Sequence, residues 1–191
     1  MKDFVTNYIT QQKAALETLP VEEIEQLILT FQQALKNDSQ IFVFGNGGSA
    51  SNASHFVTDL GKSASDNCYR RFRFLSLNEN LSWITAIGND YAYEDIYLRQ
   101  LENYARPGDL VMVLSVSGDS PNLVKAAHYC IKNGLHLIAL TGGKKGRLAS
   151  LANQCIVINS IHYGRVEDCQ MHICHMICYA FIEEASLQKE I

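Results

Sequence analysis

The chain has 191 residues, 47% of them hydrophobic, with a formal net charge of −4 at pH 7 and a sequence pI near 5.8. That length fits one domain with a substantial core, that apolar share argues against disorder, and the acidic balance offers no basic surface of the kind that holds nucleic acid or anionic lipid. No apolar run approaches membrane-spanning length, and six cysteines without a C-x-x-C pair, behind an N-terminus with no secretory pattern, point to a reduced cytosol and to thiols used as small core residues.

The first 37 residues contain no glycine and repeat apolar residues at helical spacing (Val5, Tyr8, Ile9, Leu16; then Ile24, Leu27, Ile28, Phe31, Leu35). Pro20 predicts a break near Leu19 and the start of a second helix. Neither helix fits a βα repeat, so residues 1–37 form an arm, expected to pack on the domain or on another subunit. Residues 38–191 form the core of the same single domain. Ile41 to Phe44 reads as a buried strand. It runs into Gly45-Asn46-Gly47-Gly48-Ser49 and then an Ala/Ser-rich helix. A strand, a glycine-rich turn and a helix N-terminus together gather unpaired backbone N–H groups around one small space, which suits phosphate. On that helix His55 and Asp59 are four apart and share a face.

A loop from Ser63 to Arg71 is expected next, then a strand from Arg73 to Leu77 and a helix from Asn78 to Ile87. Gly88-Asn89-Asp90-Tyr91 has turn chemistry, with helix resuming from Tyr93 to Tyr104. After the turn at Arg106-Pro107-Gly108-Asp109 comes a third strand, Leu110 to Leu114. Ser115-Val116-Ser117-Gly118-Asp119-Ser120 repeats the opening logic, a hydroxyl-and-glycine loop followed by a helix capped by Ser120 with Pro121 at its first position. A fourth unit has strand Leu135 to Leu140, loop Thr141-Gly142-Gly143 and a helix from about Arg147. Cys155 to Ile158 is a fifth strand, and a long helix from Arg165 to about Ala185 closes the chain.

Five strands alternating with helices predict an α/β fold, a five-stranded parallel sheet with helices on both faces. Ligands bind such sheets at the carboxyl ends of strands where strand order reverses. If the first and third strands are neighbours, both loops meet in one pocket. The first loop lacks the Lys-Ser/Thr pair of a P-loop and does not match G-x-G-x-x-G in register with a ribose-binding acid, so a single phosphate on a small molecule fits better than a nucleotide. The start of the last helix, Arg165 to His175, is dense in ligand-type residues; His172 among them is expected to be a core histidine satisfied by hydrogen bonds.

GNGGSA, SHFVTDL, AIGNDY, SVSGDSPN, ALTG and RVEDCQMHICH, in this order and spacing, resemble the phosphoheptose isomerases, a branch of the sugar isomerase (SIS) domain family. The resemblance spans almost the whole chain. It implies a flavodoxin-like SIS fold, interconversion of sedoheptulose 7-phosphate and glycero-manno-heptose 7-phosphate, a zinc ion (Zn2+) in each subunit, and a homotetramer serving heptose supply for lipopolysaccharide or capsule. Position by position it implies His55, Asp59, Glu167 and His175 as metal ligands. It further implies that Asn46, Gly47, Gly48, Ser49, Asp59, Asn89, Asp90, Ser115, Val116, Ser117, Ser120 and Glu167 hold the sugar phosphate. Three positions depart from the family pattern: Asp59 where Glu is usual, Glu167 where Gln is usual, and Asp119 where Asn is usual, an anion that would repel phosphate unless it faces solvent. Non-catalytic sugar-phosphate regulators and protein-binding adaptors also occur in the superfamily, and that class is the alternative.

Aldose–ketose isomerisation needs a base, an acid and positive charge near the oxygens; Asp59 is the candidate base and His175 the candidate acid, with the roles open to reversal. Glu167 and His175 are eight residues apart, a rise of about 12 Å in a regular helix. One ion can scarcely bind both on an unbroken helix of one chain. Either Glu167 precedes the regular helix, or the site lies at a subunit interface.

Overall fold

The computed structural model describes residues 1–189. Helices α1 (Lys2–Glu17) and α2 (Val21–Lys36) form the arm, broken at the expected place, with Pro20 at the N-cap of α2. Strands β1 (Gln40–Gly45), β2 (Arg73–Ser76), β3 (Leu110–Ser115), β4 (His136–Gly142) and β5 (Gln154–Ile158) make one all-parallel sheet in the order β2-β1-β3-β4-β5. The order reverses between β1 and β3, which are hydrogen-bonded neighbours from Ile41↔Leu110 to Gly45↔Leu114. That reversal is the feature that sequence alone left open, and it brings the two glycine loops side by side.

Alternate strand residues point to opposite faces. Ile41, Val43, Met112, Leu114, Ile138 and Leu140 face one buried cluster with α2, α3 (Gly48–Asp59) and α9 (Tyr163–Glu183). Phe42, Phe44, Val111, Val113, Leu137 and Ala139 face a second, closed by α6 (Leu98–Tyr104), α7 (Pro121–Lys132) and α8 (Gly146–Leu151). Helices therefore cover both faces, as expected. In the arm, α2 buries Ile24, Leu27 and Phe31, whereas α1 buries Ala15 and leaves Phe4, Val5 and Ile9 exposed.

Several boundaries differ from the expectation. The predicted loop from Ser63 begins as helix: α3 continues through a π-helical turn, Leu60–Ala64, into the short α4 (Ser65–Asn67). Leu60 and Ala64 are fully buried, and Ser65 Oγ donates to Leu60 O at 2.9 Å and accepts from Phe72 N at 3.0 Å, so packing carries helix through residues that read as a loop. Gly88-Asn89-Asp90 do not interrupt a helix but form the last turn of α5 (Leu81–Asp90), capped at its start by Asn80, whose side chain accepts from Trp83 N. The segment from Tyr93 is a 3₁₀ turn (Tyr93–Asp95) before α6 rather than one helix. Thr141 and Gly142, expected in a loop, extend β4; a Cβ on Gly142 would stand 2.6 Å from Val116 O, so this glycine serves a close backbone approach rather than a turn. A last turn, α10 (Ala185–Gln188), follows α9.

Candidate active site

The first loop leaves β1 at Gly45, where an added Cβ would meet Leu114 O of β3 at 2.6 Å. Gly47 has φ +58, open to glycine at little cost, and turns the chain into α3. From β3 the second loop carries Ser115, Val116, Ser117 and Ser120. Between them lies a small cavity of about 70 Å³ lined by Asn46, Ser49, Ser115, Val116, Ser117, Ser120, Tyr163 and Glu167. A larger cavity of about 690 Å³, among Gln26, Thr30, Gln33, Asn37, His136 and Asn153, lies at the amino ends of the strands, away from both glycine loops. The small cavity is the better site, because the loops and the start of α3 converge there and because parallel sheets bind ligands at carboxyl ends.

Four residues that the sequence did not mark as site residues, Asn122, Tyr97, Asn78 and Gln170, pre-arrange the first loop with its expected Asn46 and Ser49. Asn46 and Asn122 exchange two amide hydrogen bonds of 2.9 Å, joining the first loop to the start of α7. The Tyr97 hydroxyl donates to Gly45 O and to Asn46 Oδ1, and Asn78 Nδ2 donates to Gly45 O at 2.9 Å. Burial pushes the Tyr97 hydroxyl well above the ordinary tyrosine range, so it stays a donor. The buried Gln170 accepts from Ser49 Oγ at 3.0 Å and donates to Leu140 O. Only Gln170, a polar residue in an apolar helix, left a trace in the sequence. Ser120 stands at the N-cap of α7 as expected but makes no side-chain cap hydrogen bond. Asn89 and Asp90 do not join the cavity in this chain; both are exposed at the end of α5, with Asn89 Nδ2 donating to Asp90 Oδ1.

Helices α3 and α9 pack in register, Gly48 against Glu167 and Ser49 against Gln170, so that His55 and Asp59 meet His175 farther along. His55 Nε2 stands 3.2 Å and His175 Nε2 3.4 Å from the same Asp59 Oδ2, and the two imidazoles lie edge to face with centroids 5.3 Å apart. One donor atom from each of these three residues falls within 4.8 Å of the others. The side chains are partly open, at 54% for His55, 42% for His175 and 29% for Asp59. Behind them Cys174 and Cys178 are buried, and burial together with the Asp59 charge raises both thiols far above their ordinary range. All six cysteines are free. His172 is not a core residue: it is exposed, and its Nδ1 lies 2.8 Å from Asp168 O.

Glu167 is not in this cluster. It sits inside α9, one turn past the N-cap His162, so the possibility that it precedes the regular helix does not hold. Its carboxylate lies over the first residue of α3, where a Cβ on Gly48 would approach it to 2.5 Å. Burial, helped by Asp168, raises its pKa. Asp119 turns away from the cavity: Arg147 Nε donates to its Oδ1, and that guanidinium holds the carboxyl below the usual range.

The SIS domain model matches residues 5–142. The phosphoheptose isomerase of Aneurinibacillus thermoaerophilus is 34% identical over 100% of this chain and 98% of its own. The chain belongs to the phosphoheptose isomerase branch of the SIS family. The corresponding protein of Aquifex aeolicus is 31% identical over 93% of this chain and 92% of its own. Among solved structures, the phosphoheptose isomerase of Neisseria gonorrhoeae superposes with a TM-score of 0.86 at 27% identity, covering 94% of this chain and 97% of that one. The phosphoheptose isomerase of Francisella tularensis gives 0.84 at 26%, covering 95% and 98%. The fold, the arm and the class of enzyme, an isomerase, follow from this membership. No described helix is long and apolar enough to cross a membrane.

Proposed function

We propose that this protein interconverts sedoheptulose 7-phosphate and D-glycero-D-manno-heptose 7-phosphate by moving a proton between adjacent carbons through an enediolate. The carrying observation is the Asp59 carboxylate held between two imidazoles on α3 and α9, the same two helices whose N-terminal turns line a phosphate-sized cavity at the strand-order reversal. In this reading Ser115, Ser117, Ser120 and the N–H groups around Gly47 to Ser49 grip the phosphate. Asp59 takes the proton from C1 of the ketose while His175 gives one to the carbonyl oxygen at C2. Asp59 then returns its proton to C2, and the C1 hydroxyl proton passes back to His175, so both groups end as they began. Glu167 lines the phosphate cavity and contacts the sugar.

The donor set of His55, Asp59 and His175 fits Zn2+, which takes imidazole and carboxylate ligands and in catalytic sites keeps one position open. Bound there, one zinc per subunit supplies a Lewis acid next to the carbonyl oxygen. Glu167 stays out of that set within one chain, so its place as a fourth ligand requires an active site shared between subunits. We infer such sharing in a homotetramer, supported by the exposed apolar residues Phe4, Val5 and Ile9 of α1 and Leu81 of α5. A cytoplasmic enzyme feeding heptose into lipopolysaccharide or capsule fits the same reading. The non-catalytic alternative is disfavoured, since the relatives above are named as isomerases and a regulator has no need of the converging acid and imidazoles. Incubation with sedoheptulose 7-phosphate in heavy water tests the proposal: solvent deuterium enters the sugar if it holds, and tight binding without exchange refutes it.

A further inference from the structure

The phosphate loop does not stand alone. The loop between β4 and α8 is stacked on it so closely that a Cβ on Gly118 would collide with Lys145 O, and one on Gly146 with the Gly118 backbone. Lys145 holds φ 64 and ψ −53 while Gly146 N donates to Lys144 O at 2.7 Å, a γ-turn that a side-chain-bearing residue adopts only under constraint. Gly142 N donates to Val116 O and Leu148 N donates to Gly118 O, both between the two loops. Arg147 closes the contact, with Nε on Asp119 Oδ1 and Nη2 on Asp119 O at 3.1 Å. On the cavity side, Gly118 N donates to Ser115 Oγ at 3.0 Å and Asp119 N to Ser117 Oγ at 3.2 Å. Each serine oxygen thus accepts from its own loop, which leaves its O–H free to donate to a phosphate oxygen.

We propose that Arg147 is a positioning residue for the phosphate: it cancels the charge of Asp119 beside the loop and fixes the backbone that aims the Ser117 hydroxyl. The inference rests on the reading above that this loop holds a sugar phosphate. Arg147 touches no substrate; it acts through Asp119. The ion pair is exposed, and such pairs add little to stability, so its consequence falls on the anion held next door. Without Arg147, an ionised Asp119 repels the phosphate.

The test measures KM, kcat and competitive inhibition by inorganic phosphate for the unmodified enzyme, for Arg147→Ala, and for Arg147→Ala combined with Asp119→Asn. An unpaired Asp119 carboxylate on the loop between the cavity-lining Ser117 and Ser120 repels the phosphate through a surface dielectric and predicts a KM raised several-fold in Arg147→Ala, with the phosphate inhibition constant rising in parallel. kcat changes far less, and the effect shrinks at about 1 M salt, where the screening length falls to roughly 3 Å. The second change returns KM toward the unmodified value, because no charge is left to repel. Arg147→Gln serves as the same test should the alanine variant fail to fold. An active Arg147→Ala enzyme with unmoved KM and phosphate inhibition overturns the proposal, and so does a double variant no better than the single one, which marks a mere brace. Absence of turnover and of phosphate binding in the unmodified protein overturns the functional reading itself, and this inference with it, before any variant is made.

Discussion

His175 Nε2 lies 3.4 Å from Asp59 Oδ2, across the contact between two helices whose residues are more than a hundred positions apart in the chain. His55 meets the same oxygen from the other side at 3.2 Å, so one carboxylate oxygen is shared by two imidazoles. Removing either end of the His175–Asp59 pair removes a proton carrier. Asp59→Asn and His175→Gln are each expected to lower kcat by about 10²–10⁴, with the far-UV circular dichroism spectrum unchanged. Retention of more than a tenth of the unmodified kcat in both variants would remove these residues from the proton path.

Zinc binding is expected to need all three residues of the cluster. At a free concentration about a hundred times its dissociation constant, a ligand of the native state adds roughly 2.7 kcal/mol, or a rise in Tm of roughly 5–10 °C for a domain of this size. His55→Ala should abolish most of that rise. An equal rise in the unmodified and His55→Ala proteins, followed by calorimetry with chelator as the baseline, would place the metal elsewhere.

Glu167 gives a pH dependence whose sign is fixed by its raised pKa. The folded state holds this proton more tightly than the unfolded chain, so between the ordinary pKa of 4.5 and the raised one, stability falls as pH rises. Above that window the full penalty of a buried charge remains. Glu167→Gln should therefore be more stable than the unmodified protein at pH 7 with chelator present, and the difference should vanish near pH 4. Thermal melts across that range decide it; a variant less stable at pH 7 than at pH 4, relative to the unmodified protein, contradicts the assignment.

The hydroxyl of Tyr97 donates to Gly45 O and Asn46 Oδ1 beneath the first loop. Tyr97→Phe keeps the ring stacked on Phe44, with centroids 4.5 Å apart, and removes only the hydroxyl, since Gly45 O keeps Asn78 Nδ2 and Asn46 Oδ1 keeps Asn122 Nδ2 as donors. The cost is that of an ordinary hydrogen bond, about 0.5–1.5 kcal/mol. Tm should drop by several degrees and KM for the sugar phosphate should rise more than kcat falls. Gly45→Ala acts on the same spot by collision with Leu114 O and Ser49 Cβ rather than by a lost bond. Overpacking of this kind costs typically about 1–3 kcal/mol, visible as a shifted denaturant midpoint.

Much of this molecule was written in local pattern. Short apolar runs followed by glycine or serine loops marked the five strands and both glycine-and-hydroxyl turns, because period, burial and backbone freedom are local properties of a few adjacent residues. The i, i+4 spacing of His55 and Asp59 placed them on one helical face, whereas the eight-residue gap from Glu167 to His175 left two arrangements open until the structure showed α9 unbroken and Glu167 outside the cluster. Where Asn, Asp or Ser were read as loop, the structure continued helix at Ser63 and at Gly88 to Asp90, since tertiary packing and caps outweigh a few tenths of a kcal/mol of propensity. The sequence could not say that β1 lies beside β3, that Asn46 pairs with Asn122, or that Arg147 reaches Asp119. Those contacts join residues far apart in the chain, and only strand order and helix packing, set by burial over the whole sheet, decide which of them meet.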